Sequence, residues 1–379
     1  DIPHIYYLPQ YLPVIEILQE QNIECHAMLY ESTDNDLKLK AANELKLVVH
    51  WASSEENATN SYQQNAPSWV IFGNDFHHLH RLSSETKSAL LFHGSGTGIK
   101  NASLSPGLAN FDIRFVSGPG RMKLFSELYP SVKLYQVGFA KLDPLRNTNS
   151  LKFDLEKLGL DKHKKTLLYS PTFYPSSIGN MHKHFPEEFK NYNILIKAHD
   201  FTLNKAKYKH QLAKLKSWSK YDNVYFADGE QYSLIPFMAT ADLMVTDTSS
   251  AIFEFASLDK PVVICDFPRL RWTYRGPLKF RLRKRLDNST LHFQDVAARA
   301  SSYKQLKSVV DFHIQHPNAL SETRMKMMRS EGAEVYLACR ENSMIKDKAI
   351  ANNIKVFSLP FRGNTDLKTL FHLKKIIAL

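Results

Sequence analysis

The sequence predicts an α/β protein of two Rossmann-like domains with mostly parallel, buried sheets. Three observations carry this. The chain has 379 residues, more than one hydrophobic core usually organises. Short apolar, β-branched runs alternate with helix-like stretches, the pattern of βαβ units. The alternation restarts after Leu151–Lys165, where Lys162, Lys164 and Lys165 mark an interdomain link. The expected division is residues 1–150 and 151–379, with Ile350–Leu379 able to return to the first domain.

In the first half, strands are expected at Leu47–Trp51, Trp69–Gly73, Ala89–His93, Ile113–Ser117 and Leu134–Val137. In the second they are expected at Thr166–Ser170, Ile194–Lys197, Val224–Ala227, Leu243–Thr246 and Val262–Cys265. Helix-like stretches lie between them, among them Tyr11–Gln21, Arg121–Leu128, Lys205–Tyr221 and Ser249–Leu258. In such sheets ligands sit beyond the carboxyl ends of the strands. The residues just after each apolar run are therefore the ones to inspect.

Composition narrows the class. With 43% hydrophobic and 23% charged residues the chain reads as an ordinary soluble globular protein. No apolar run approaches the roughly 20 residues that span a bilayer, and no charged segment followed by an apolar one suggests a signal peptide. Cys25, Cys265 and Cys339 are far apart and lack CxxC spacing. That argues against a disulfide framework or zinc knuckle and fits a reducing, cytoplasmic setting. A net charge of +11 favours an acidic partner: nucleic acid, anionic membrane or a phosphate-rich substrate.

Four segments carry candidate chemistry. In Phe92-His93-Gly94-Ser95-Gly96-Thr97-Gly98 an apolar strand ends in His, and glycines then alternate with hydroxyl residues. Glycine lets the backbone approach a ligand closely, and its free N–H groups can hold phosphate. His93 could accept a proton from an attacking hydroxyl. The spacing matches neither GxGxxG nor GxxxxGK[ST], and a flexible turn with an incidental His explains it equally well. In Ile196-Lys197-Ala198-His199-Asp200 alternation puts Lys197 and His199 on one side of an extended segment. A cationic pair there suits phosphate, against the plainer reading of polar residues ending a strand.

The third segment, Thr246-Asp247-Thr248-Ser249-Ser250, leads into a helix bearing Glu254 one turn further on. Capping accounts for one hydroxyl. Four polar residues in a row exceed that need and form a candidate anion site. The fourth, Arg269 to Arg285, interleaves Arg269, Arg271, Arg275, Lys279, Arg281, Arg283, Lys284 and Arg285 with aromatics. Such a surface meets phosphates, nucleic acid or lipid head groups, although a solvated basic loop is the ordinary alternative. His77, His78 and His80 lack the Cys or carboxylate pattern of a metal site.

Taken in order, these segments resemble the CDP-glycerol glycerophosphotransferase family of teichoic-acid and capsule-polymer primases and polymerases. The matching residues are His93-Gly94, Ser170-Pro171-Thr172, Lys197-Ala198-His199, Asp247-Thr248-Ser249-Ser250 with Glu254, and Lys260-Pro261. Gly138-Phe139-Ala140-Lys141-Leu142-Asp143 looks like the family's Gly-x-Pro-Arg-x-Asp segment without its Pro and Arg. Asp200 and Thr248 replace the family's Pro and Tyr, and the His-Gly segment continues as Ser-Gly-Thr-Gly. These departures mark a divergent branch.

The resemblance implies a glycosyltransferase-B fold whose two sheets face a central cleft. It implies His93 as general base, with Gly94, Ser95, Gly96 and Thr97 as an acceptor or phosphate loop. His199 would bind or protonate the phosphates. Thr172, Lys197, Asp247, Thr248, Ser249, Ser250 and Glu254 would hold a CDP-glycerol or related CDP-polyol donor. Attack at the β-phosphorus would release CMP, with no metal or other cofactor. The implied partners are a nucleotide-activated donor, a glycan or lipid-linked acceptor and the inner face of a bacterial membrane; nucleic acid is not expected. A nucleotide-sugar glycosyltransferase or epimerase of the same fold is the alternative, and a non-catalytic polyanion- or membrane-binding protein a further one.

Overall fold

A computed structural model describes residues 1–92, 94, 106–227, 229–278, 280–281, 295–330, 336–340 and 355–359. In the first half, β1 (His26–Tyr30) pairs in parallel with β2 (Val48–Ala52). β3 (Trp69–Phe72), β4 (Lys87–Leu90), β5 (Ile113–Val116) and β6 (Lys133–Gln136) form a four-stranded parallel sheet in that order. Asp1 and Ile2 run between the two groups: Ile2 N–H donates to Met28 O at 2.9 Å and the Asp1 amino group to Ile71 O at 2.9 Å. The two sheets thus read as one layer. The expected strand Ala89–His93 is shifted, since β4 runs from Lys87 to Leu90.

The second half contains β7 (Thr166–Ser170), β8 (Asn193–Ile196), β9 (Val224–Phe226), β10 (Leu243–Thr246), β11 (Val262–Cys265) and β12 (Ala298–Ala300). Their order is β12-β11-β10-β7-β8-β9, and every pairing is parallel. This is the doubly wound order, with its switch point between β7 and β10. Successive residues of these strands enter opposite cores. Leu168, Leu195 and Met244 pack with Phe237 and Phe255 on one face. Leu167, Tyr169, Ile194, Ile196 and Val245 pack with Phe185, Phe189 and Trp218 on the other. Burial on both faces is why these strands read as continuous apolar runs.

The segment Ala140–Leu151, at the end of the expected first domain, sends Leu145 into the core of the second sheet. A last parallel pair, β13 (Tyr336–Arg340) and β14 (Lys355–Leu359), follows β12. Among the described residues no helix is long and apolar enough to cross a membrane.

Candidate active site

At the switch point, the chain after β7 and the chain after β10 are tied together through Asp247. Its carboxylate is 2% exposed and accepts from Thr172 N–H at 2.9 Å, Ser177 N–H at 2.9 Å and the Thr172 hydroxyl at 3.3 Å. The Thr172 hydroxyl also bonds Pro175 O. Burial pushes the Asp247 carboxyl up to about 6, while the amide and hydroxyl donors pull the other way. Asp247 and Thr172, expected to hold the donor, are thus engaged in bracing the Thr172–Ser177 loop. A buried carboxylate needs several donors, and the backbone supplies them.

Beside this brace the turn is open. Thr248 is exposed and Ser249 and Ser250 are half-buried. Ser250 precedes the helix Ala251–Ala256 without making a side-chain capping bond, so capping does not account for its hydroxyl. The helix has only 6 residues, which leaves the hydroxyls as the turn's main polar contribution. Thr246 Oγ1 donates to Ser170 O at 2.6 Å and lies 3.4 Å from Ser249 Oγ, locking the two strand ends side by side.

Lys197, just past β8, is 8% exposed; its backbone N–H donates to Tyr169 O at 3.0 Å, and its ammonium has no hydrogen-bond or salt-bridge partner among the described residues. Burial draws its ammonium down to about 8, against the pull of Asp200. A buried, protonated amine with no hydrogen-bonded partner, only the nearby Asp200 charge, favours an anion beside it. His199 caps the helix Asp200–Asn204: its Nδ1 accepts from Phe201 N–H at 3.1 Å. That bond assigns the imidazole proton to Nε2, leaving a neutral donor. The ring packs against Phe173 (centroids 4.8 Å apart), Phe201 (5.0 Å) and Tyr6 of the first half (5.1 Å). This arrangement suits binding a phosphate oxygen better than delivering a proton, because protonating Nδ1 would break the cap.

The two halves meet at this place. A β-carbon built on Gly94 would lie 3.5 Å from Ser250 Oγ, ordinary contact distance. Glu254, 2% exposed, pairs with Lys141 Nζ at 2.7 Å. Its carboxylate is therefore engaged between the halves. Lys141 stands where the resembling segment carries Arg, and the ion pair explains why a cation is needed there.

His93, Ser95, Gly96 and Thr97 lie outside the described residues, as do Lys279, Arg283, Lys284 and Arg285. Arg269, Arg271, Arg275 and Arg281 are exposed. The stretch is anchored to the site loop: Arg269 N–H donates to Ser176 O at 2.7 Å, and the Arg271 guanidinium sits 4.3 Å over the Tyr174 ring. Sequence reasoning did not single out Tyr6, Phe173 or Ser177, whose roles come from contacts distant in the chain; Lys141 alone had a signal, its place in the Gly-x-Pro-Arg-like segment.

Two parallel sheets joined in this way, with a cationic, hydroxyl-bearing switch point facing the other half, make a glycosyltransferase-B-type fold. The wall teichoic acid polymerase TagF, soaked with CDPG, has the same fold: TM-score 0.55 at 13% identity, over 85% of this chain and 80% of that one. So does the S. aureus MnaA–UDP co-structure, with TM-score 0.55 at 12% identity over 85% and 88% of the respective chains. Residues 86–270 match the family model CDP-Glycerol:Poly(glycerophosphate) glycerophosphotransferase. Over that segment the chain is similar to this family.

Among curated relatives, teichoic acid glycerol-phosphate primase of Bacillus subtilis (strain 168) is 28% identical over 41% of this chain and 37% of its own length. Teichoic acid ribitol-phosphate primase of Bacillus spizizenii is 25% identical over 41% of each chain. The aligned part is thus less than half the length of these relatives.

Proposed function

We propose that the protein transfers a glycerol-phosphate or similar polyol-phosphate unit from a CDP-activated donor to a hydroxyl of a teichoic-acid-type or other surface-glycan acceptor. The observation that carries this reading is the buried Lys197 near the switch point, whose ammonium has no hydrogen-bond or salt-bridge partner among the described residues. It lies two residues before the His199 donor, on the strand next to β7 and one removed from the turn carrying Ser249 and Ser250. The donor's pyrophosphate would lie over Ser249, Ser250 and Lys197, with His199 Nε2–H on a phosphate oxygen. Phosphoryl transfer needs position and neutralised charge above all, and these groups supply both.

In the reaction, the acceptor oxygen bonds the β-phosphorus as the bond from that phosphorus to the bridging oxygen breaks. CMP leaves with the bridging oxygen. On the family resemblance, His93 takes the acceptor's proton. Arg269, Arg271, Arg275 and Arg281, with the 75% exposed Trp272, form a candidate contact with an anionic membrane surface on the cytoplasmic side.

Incubation with CDP-glycerol and a glycerol-phosphate-primed acceptor should release CMP, and His93→Ala should abolish it. Stabilisation by UDP-sugars alone in a panel with CDP-glycerol and CDP-ribitol would overturn the cytidine assignment.

A further inference from the structure

A second concavity lies at the carboxyl ends of β4, β5 and β6. About 40 Å³ of it is open to the centres of water molecules and it communicates with solvent, room for a few waters or one phosphate group with the rest of a ligand outside. Its charged lining consists of Arg114 and Arg121, and no Asp or Glu lines it among the described residues. Both cations are held out of water: Arg114 is 1% exposed and Arg121 6%. Burial draws the Arg114 guanidinium down to about 10; Tyr129 opposes this, and the neighbouring Arg121 charge adds to it.

Two further features point to a ligand. Arg121 lies in the first turn of the ten-residue helix Pro119–Leu128, which opens after Gly118; the backbone N–H groups beyond Pro119 at such an end favour anions. Gln10 lines the same pocket, is 2% exposed, and its Oε1 has no hydrogen-bond partner among the described residues. A buried amide left unpaired is unfavourable and calls for a hydroxyl or similar group. The pocket adjoins the switch point, because Gly94 lines it and also meets Ser250.

We infer that this pocket binds a phosphate ester of a polyol, the already phosphorylated end of the acceptor. Arg121 and Arg114 hold the phosphate and Gln10 hydrogen-bonds a polyol hydroxyl. The assignment to the acceptor rests on the phosphotransfer reading above. The binding chemistry of the pocket does not.

The test is a thermal-shift and calorimetric titration of the whole chain with sn-glycerol 3-phosphate, inorganic phosphate and, separately, CMP. Glycerol phosphate should stabilise the wild type, and Arg121→Gln should weaken it about tenfold or more. Gln10→Leu, which replaces an unpaired amide by an apolar group of similar size, should weaken glycerol phosphate and leave inorganic phosphate unaffected. An unchanged CMP response in Arg121→Gln shows that the variant is folded. Failure of glycerol phosphate to bind, or equal binding by wild type and Arg121→Gln, overturns the pocket assignment. If CMP fails while glycerol phosphate binds, the donor reading falls and the pocket stands. Equal weakening of both phosphates by Gln10→Leu removes the polyol contact.

Discussion

In the second sheet β8, β10 and β11 are buried at every position, whereas in the first sheet β5 alternates buried with half-buried residues and β6 is mostly exposed. The difference shows in the chemistry. A strand covered on both faces has room for charge only beyond its end, so Lys197 and Asp247 follow β8 and β10. In β5 a cation lies within the strand: Arg114, at a buried position, sits under the Phe125 ring, 3.5 Å from its centroid. The second site is built from turn hydroxyls and one buried amine, the first from guanidiniums bracketed by aromatics.

The largest expected effect falls on His199. His199→Ala should slow CMP release by about 10²–10³-fold, the usual cost of losing one donor to developing charge. His199→Asn keeps a capping acceptor for Phe201 N–H and removes the Nε2 donor. Recovery of turnover in the Asn variant would reduce His199 to a helix cap.

Next comes the join between the halves. Lys141→Met should cost about 3–5 kcal/mol in urea unfolding, since it leaves the buried Glu254 carboxylate uncompensated. Lys141→Arg should recover most of this. An unaffected transition in Lys141→Met would mean the halves are held by packing alone.

The two buried groups of the second site should give opposite pH signatures. The Asp247 carboxyl is raised to about 6 from an ordinary 3.8. Its contribution to stability is complete below about pH 4 and is lost as pH rises through 6, worth about 3 kcal/mol. Asp247→Asn should flatten that slope in melting curves, and an unchanged slope would argue against the burial effect. The Lys197 amine is depressed from 10.5 to about 8. Its contribution is present above about pH 10.5 and lost as pH falls through 8. Lys197→Met should therefore raise stability at pH 7 by about 3 kcal/mol while weakening the response to CDP-glycerol. A destabilised Met variant would mean that the amine has a counter-charge in solution.

The smallest effect concerns the surface. Arg271→Glu and Arg275→Glu should each reduce sedimentation with phosphatidylserine vesicles by about fivefold, an effect that fades with salt. Binding that does not depend on salt would argue against an electrostatic contact.

Much of the second half was legible in the sequence because its strands are buried on both faces. The runs at Thr166–Ser170, Leu243–Thr246 and Val262–Cys265 coincide with β7, β10 and β11. β1 and β12 were not anticipated: His-Ala-Met-Leu-Tyr and Ala-Arg-Ala carry little β-branched signal, and their neighbours in the sheet make them strands. The candidate turn after β10 was legible as a cluster of hydroxyls. That Asp247 would brace a loop and Glu254 would join the halves was not, because their partners lie 70 to 75 and 113 residues away.

The order of apolar runs, and the polar residues ending them, determined by themselves the α/β class and the places where chemistry could sit. Periodicity and strand-end polarity are local properties, so one sequence carries them. Which carboxylates are tied to distant partners, which amine is buried without a hydrogen-bonded partner among the described residues, and which guanidiniums converge with Gln10 were decided only by tertiary structure. Those outcomes depend on desolvation and on partners brought together from distant parts of the chain, and a residue's type does not reveal either one.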